Sequence, residues 1–188
     1  MQKLIVFNNV SVDGYFVDAA GKMDWAHAGH DDAEFQAFTS GNASGGGCLL
    51  FGRITYQMMA GYWPSPDAMK NNPGVAKAMN SMAKVVFSKT LDKASWQNTT
   101  LVTSDPAEAV RKLKAEAGPG LTILGSGTIV SLLTSQRLID EYHLVVNPVV
   151  LGKGRTMFAG IPDLLNLKLV QSRAFKNGKV VLTYNSAA

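Results

Sequence analysis

The chain has 188 residues, 46% of them apolar and 17% charged, with a formal net charge of +4 and one cysteine. This balance fits a single globular domain over residues 1–188 and leaves no apolar run near the roughly 18–20 residues of a membrane span; Met1-Gln2-Lys3 leads straight into Leu4 with no apolar leader, which predicts a cytoplasmic location. The lone Cys48 excludes an internal disulfide and cysteine-based metal binding, and Lys and Arg are scattered, which argues against nucleic acid while permitting a phosphate-rich small ligand.

Leu4 to Val10 reads as a buried strand, and Asp13-Gly14 after it as a turn in which glycine supplies positive φ. Gly21 to Gly29 is irregular. Asp31-Asp32 then caps a helix through Glu34 to Phe38, which the polar, glycine-rich run Ser40 to Gly47 breaks. Cys48 to Phe51 is a short apolar strand stopping at Gly52, and Arg53 to Met59 carries a helical pattern that ends at Gly61. Asp67 to Met82 holds helix with an interruption at Pro73-Gly74, and Lys84 to Phe87 is a strand closed by Ser88-Lys89. Thr100 to Val102 is a further strand. Asp105-Pro106 supplies an N-cap and a first-turn proline for a helix to about Ala117, ended by Gly118-Pro119-Gly120.

Leu121 to Leu124 is a strand, Gly125-Ser126-Gly127 a tight turn and Thr128 to Ser135 a helix, so the strand, glycine turn and helix unit occurs twice. Glu141 to Val146 is a strand. Leu167 to Phe175 and Val180 to Tyr184 make a terminal hairpin around Asn177-Gly178, a type I′ signal. The fold class is α/β: a mixed, mostly parallel sheet with helices on both faces and a C-terminal antiparallel hairpin.

Glycines between a strand and a helix let backbone approach a diphosphate while the helix N-terminus offers unpaired N–H groups, which singles out Leu124-Gly125-Ser126-Gly127-Thr128. Val130 stands where a full dinucleotide fingerprint has its third glycine, and a plain turn explains the segment equally well. In Phe51-Gly52-Arg53-Ile54-Thr55 a cation in the first helical turn opposes the helix dipole, so an anion is expected to offset it. With Ser88 and Lys89, Arg53 can grip an exposed phosphate such as the 2′-phosphate of NADPH. His27 and His30 lack a third ligand nearby, so no metal site is expected, and Ser126 has neither nucleophile-elbow spacing nor a triad.

In their order, Ser11-Val12-Asp13-Gly14-Tyr15, Phe51-Gly52-Arg53-Ile54-Thr55-Tyr56, Val86-Phe87-Ser88-Lys89, and Leu124-Gly125-Ser126-Gly127-Thr128 followed by Ile139-Asp140-Glu141 resemble the dihydrofolate reductase-like superfamily. Within it they are most similar to the C-terminal reductase domain of the bifunctional riboflavin-biosynthesis deaminase-reductase. The resemblance implies an NADPH-dependent reductase. Gly52, Arg53, Thr55, Ser88 and Lys89 would hold the adenosine 2′-phosphate side, Leu124, Gly125, Ser126, Gly127, Thr128 and Ile129 the diphosphate, and the loop from Val10 would border the nicotinamide. It further implies a homodimer, and a substrate like 5-amino-6-(5-phosphoribosylamino)uracil, with dihydrofolate or another pteridine as the alternative. Asp13 and Trp25 are the substrate-side candidates and Asp32 the candidate proton donor, although Asp32 lies further past Trp25 than the corresponding carboxylate of dihydrofolate reductases. Asn147 to Arg155 resembles the segment between two late strands of riboflavin-pathway reductases, to be read as a substrate-phosphate loop or as a basic surface turn. No deaminase signature is present. A nucleotide-binding module without turnover is the reading from a different class.

Overall fold

A computed structural model describes residues 1–27, 32–44 and 46–187. The expectations placed on His30 and Asp31 lie outside the described residues. The chain runs β1 (Leu4–Ser11), β2 (Tyr15–Asp18), a 3-10 turn (Asp24–His27), α1 (Ala33–Ser44), β3 (Cys48–Gly52), α2 (Arg53–Tyr62), α3 (Pro66–Asn71), α4 (Pro73–Ser81), β4 (Ala83–Phe87) and β5 (Thr99–Val102). It continues through α5 (Pro106–Ala115), β6 (Leu121–Leu124), α6 (Gly127–Ser135), β7 (Glu141–Asn147), β8 (Gly154–Thr156), β9 (Leu167–Ala174) and β10 (Val180–Ser186).

Eight strands form one sheet in the order β5-β4-β3-β6-β1-β7-β10-β9. The six from β5 to β7 are parallel, and β10 and β9 close the edge antiparallel, as the α/β reading expects. Strands buried on both faces must be apolar on both, and they are. Leu50, Val85 and Phe87 pack on the face carrying α5 and α6, with Val110, Ile129, Val130 and Leu133. Leu49, Phe51 and Val86 pack on the other, against Tyr56 of α2 and Met79 of α4. Further along that second face, Val145 and Val181 meet Phe35 of α1 and Phe175. Leu4, Val6, Ile123 and Leu133 are completely buried, each contributing about 1.5–3 kcal/mol of apolar transfer energy.

The helix breaks follow local chemistry. Ser65 caps α3 by accepting the Ala68 N–H at 3.2 Å, and the predicted interruption is a real one at Asn72, with Pro73 as first residue of α4. Asp105 caps α5 through the Glu108 N–H at 2.9 Å, and that helix ends at Ala115, two residues before the expected Ala117.

The structure corrects two expectations and adds one element. Helix α1 continues through Ser40 to Ser44 rather than breaking at Ser40; Gly41 is exposed there and its Cβ position is open, so glycine only weakens that turn. The hairpin at Asn177-Gly178 is not type I′. Gly178 has φ 81° but Asn177 is not in the left-handed region, and the bonds Gly178 N–H to Phe175 O (3.0 Å) and Phe175 N–H to Lys179 O (2.9 Å) enclose a three-residue loop with a glycine bulge. Finally, β2 and β8 pair as a separate antiparallel ribbon that periodicity did not indicate, because β8 has three exposed residues with no apolar pattern.

Candidate functional site

Parallel strands of one sheet all end on the same edge, and in an open α/β sheet ligands settle beyond those carboxyl ends where the strand order reverses. Here the order runs outward from β3 to β5 on one side, and β1 and β7 lie on the other side of β6. The edge between β4 and β1 therefore carries, in a row, Ser88 and Lys89 after β4, Gly52 to Thr55 after β3, Leu124 to Ile129 after β6, and Val10 to Asp13 after β1. Three strand spacings make this row about 14 Å long. Four segments scattered over the sequence become one surface.

Two helices start in the middle of the row. Neither α2 nor α6 has a capping side chain, so the first-turn N–H groups of Arg53 and Ile54, and of Gly127 and Thr128, keep the unpaired donors and partial positive charge of a helix N-terminus. Other N–H groups expected to meet an anion are already used. Gly52 donates to Ser126 Oγ at 2.6 Å, Ser126 donates to Thr55 Oγ1 at 3.0 Å, and Gly125 donates to Asn8 Oδ1 at 2.6 Å. Ser126 and Thr55 thus brace the two turns against each other. Ser126 is buried and left-handed at φ 60°, the same region as Gly125 at φ 63°, and a Cβ on Gly125 would stand 2.7 Å from the Thr55 methyl. Glycine at 125 is dictated by this turn-to-turn packing.

At the β4 end, Gly52 is level with Phe87, which puts Arg53 beside Ser88. Arg53 and Lys89 are exposed, and Arg53 donates to Gln57 Oε1 at 3.1 Å. Ser88 Oγ accepts from Thr90 N–H (3.1 Å) and Leu91 N–H (3.0 Å), shaping the loop that presents Lys89. Two exposed cationic residues and an uncapped helix start thus follow neighbouring strands at this end.

At the β1 end, Val10 is buried and its carbonyl accepts from Asn147 Nδ2 at 3.3 Å. Asp13 accepts from Leu151 N–H at 3.1 Å and Gly152 N–H at 2.7 Å, and Val12 N–H bonds Val149 O at 2.9 Å, so the loops after β1 and β7 are tied together. The Ser11 hydroxyl and then the Gly152 and Leu151 N–H groups hold the Asp13 carboxyl below the usual carboxylate range, against the opposing effect of desolvation. Lys153 is exposed on this loop and Arg155 on β8, which follows it.

Trp25 lies half-buried in the 3-10 turn, donating to Lys22 O at 3.3 Å. Asp32 has another task. Its Oδ1 caps α1 through Glu34 N–H (2.9 Å) and Phe35 N–H (3.1 Å), and its Oδ2 accepts Asn177 N–H (3.0 Å) from the β9–β10 turn. The Phe35 N–H, then those of Asn177 and Glu34, lower its pKa, and a carboxyl held ionised by N–H donors is a poor proton donor. It sits across β7 from the row, beside the hairpin.

Asn8 and Phe16 of this region were given no role by sequence reasoning, and Asn147, read there as the start of a late loop, is buried at the end of β7. Asn8 and Asn147 are polar side chains buried to 3% and 1% exposure at adjacent strands, and Phe16 packs under the Gly127 backbone. An asparagine pair inside the apolar run Leu4 to Val10 was the available signal. Asn147 Nδ2 reaches Asn9 Oδ1 (3.1 Å) and Val145 O (2.9 Å), while its own Oδ1 is buried without a partner.

A family model for the RibD C-terminal domain matches residues 2–181. The protein YyaP of Bacillus subtilis (strain 168), itself uncharacterized, is 27% identical over 184 residues, covering 98% of this chain and 95% of that protein. A protein assigned to riboflavin biosynthesis from Shewanella sp. PV-4 superposes with a TM-score of 0.74 at 24% identity, over 100% of both chains. The diaminohydroxyphosphoribosylaminopyrimidine deaminase/5-amino-6-(5-phosphoribosylamino)uracil reductase of Thermotoga maritima superposes with a TM-score of 0.67 at 12% identity, over 99% of this chain and 57% of that one.

Proposed function

The chain belongs to the RibD C-terminal domain family, and from that membership and the geometry of the sheet edge we propose that it is an NADPH-dependent oxidoreductase. The observation that carries the NADPH reading is the position of exposed Arg53 and Lys89 at the same end of the row as the uncapped start of α2. Such a donor set fits an exposed phosphomonoester, and the free N–H groups at the start of α6 fit a diphosphate one strand further along.

In this reading Arg53 and Lys89 bind the 2′-phosphate, the N–H groups of Gly127 and Thr128 bind the diphosphate, and Thr55 and Ser126 keep the two helix starts in register. The Val10 loop borders the nicotinamide, which when bound supplies the hydride. The acceptor is a C=N or C=O carbon of a heterocyclic substrate, of the 5-amino-6-(5-phosphoribosylamino)uracil type or a pteridine. Asp13 holds the substrate-side loops together, and the hydrogen bonds that lower the pKa of Asp13 and Asp32 favour their ionised forms, which leaves solvent at the open edge as the proposed proton source. The proposed partner is a second copy of the chain, joined along the exposed edge strand β9, where Leu169 and Val170 lie open; a monomer in sedimentation at micromolar concentration would remove it.

The test is fluorescence titration with NADPH and NADH for the wild type, Arg53→Ala and Lys89→Ala. The expected result is a preference for NADPH that each substitution weakens by about 1–3 kcal/mol. Absence of binding for both cofactors takes the reductase reading down. The engagement of both carboxylates favours one second reading, a nucleotide-binding module without turnover; NADPH binding with no oxidation by pyrimidine, pteridine or carbonyl substrates would select it.

A further inference from the structure

A polar side chain in the middle of a central parallel strand is destabilising unless its hydrogen bonds are replaced. Asn8 sits between Val6 and Val10 on β1, 3% exposed, among the apolar residues of the α5 and α6 face. Its amide makes three contacts. Oδ1 accepts the Gly125 N–H at 2.6 Å, and Nδ2 donates to Gly125 O at 3.3 Å and to Met157 Sδ at 3.1 Å.

The β1–β6 ladder has its last pair at Phe7 and Leu124. Gly125 is the first residue after β6, and both of its backbone polar groups are taken by the Asn8 side chain instead of by backbone. The side chain therefore substitutes for one further strand pair while letting the chain turn away. That turn is steep: Gly125 and Ser126 are consecutive left-handed residues, and for a residue with a side chain this conformation is unfavourable by roughly 1–2 kcal/mol. Ser126 O then receives the Ile129 and Val130 N–H groups at 2.9 and 3.0 Å, so the direction of the first turn of α6 is set by how residues 125 and 126 are held. Met157 joins the same unit, since Ser131 of α6 donates to its carbonyl at 2.9 Å.

We propose that Asn8 is a positioning residue for the diphosphate grip, fixing the Gly125-Ser126 turn so that the Gly127 and Thr128 N–H groups point out of the sheet edge. This rests on the reading of that edge as a dinucleotide site. The opposite end of the row, at Arg53 and Lys89, has no contact with Asn8 and, among the described residues, is linked to its turn only through the Ser126–Gly52 and Ser126–Thr55 bonds, so the two ends respond to different degrees when Asn8 is changed.

The experiment compares wild type, Asn8→Leu and Asn8→Asp in binding NADPH and 2′-AMP, the second being a probe that carries the 2′-phosphate without the diphosphate. Asn8→Leu is expected to weaken NADPH by at least roughly tenfold while 2′-AMP stays within about twofold of wild type. Asn8→Asp keeps an acceptor for the Gly125 N–H and is expected to fall between them. Equal weakening of both probes, or NADPH binding at wild-type strength in Asn8→Leu, overturns the proposal. If Asn8→Leu does not fold, the same comparison on Asn8→Asp decides it. Failure of wild type to bind either probe overturns the dinucleotide reading itself, a result visible without any variant.

Discussion

Ser126 Oγ lies 2.6 Å from the backbone nitrogen of Gly52, accepting its N–H across 74 positions of sequence, and so locks the turn before α6 to the turn before α2. Replacing Ser126 by Ala leaves the part-buried Gly52 N–H without an acceptor, and a loss of about 1–3 kcal/mol is expected in urea unfolding. Ser126→Gly loses the same bond but suits φ 60°, so it is expected to be the more stable of the two by about 1 kcal/mol. Equal stability of Ser126→Ala and wild type would show that the hydroxyl does not hold the turns together.

Asp32 is predicted to matter for stability in acid and not for turnover. Its folded pKa is depressed from 3.8, so its stabilising contribution is present above that value and is lost as pH falls through the lower folded value. Asp32→Asn keeps an oxygen to cap α1 and does not titrate, so its stability should depend less on pH below about 4. Acid titrations followed by circular dichroism measure this. A drop in reductase turnover of roughly 100-fold or more in Asp32→Asn, with folding intact, would instead make Asp32 the proton donor.

Lys84 is 1% exposed, with its ammonium against Asn80 O (3.2 Å), Met82 O (2.6 Å) and the Trp96 ring (4.5 Å to the centroid). Burial lowers its pKa from 10.5 to about 8, so protons leave the folded protein at lower pH than the unfolded chain. Stability contributed by this group therefore rises with pH above about 8. The nearby Cys48 thiol, pushed up by burial from 9.0 to about 11, acts in the opposite direction only above pH 9. Between pH 8 and 9 the wild type is expected to gain on the order of 1 kcal/mol, and Lys84→Met to show no such slope in urea unfolding.

Gly154→Ala tests the ribbon of β2 and β8. Gly154 has φ 151°, and a Cβ there would lie 2.1 Å from the Val17 carbonyl oxygen, so the pairing of β8 with β2 must open. The expected signature is faster hydrogen exchange at the paired residues Val17 and Asp18, with a loss of about 1–3 kcal/mol. Unchanged exchange there would mean that the ribbon tolerates the added methyl.

Much of the fold was legible because its causes are local. The apolar runs at Leu4 to Val10, Cys48 to Phe51 and Lys84 to Phe87, the proline at the start of α4 and the Asp105-Pro106 start of α5 each state their own element. The strand-glycine-helix units at Gly52 and Gly125 were readable for the same reason. The β2–β8 ribbon was not, since it depends on two short segments, more than 130 residues apart, meeting above the sheet edge.

Sequence by itself therefore determined most of the segments that become strands and helices, a mostly parallel sheet with a closing hairpin, and the residue types that could meet a phosphate; these follow from side-chain periodicity, capping and glycine torsion. Only the tertiary structure decided which of those groups are free. Asp32, Ser126 and Thr55 all carry atoms suited to chemistry, yet each spends them on backbone N–H groups brought close by folding, while Arg53, bonded among the described residues only to Gln57 of its own helix, and Lys89 stay exposed on the edge. A hydrogen-bonding group can satisfy only as many partners as its lone pairs and protons allow, and which partners come first is settled by distances that exist only once the chain is folded.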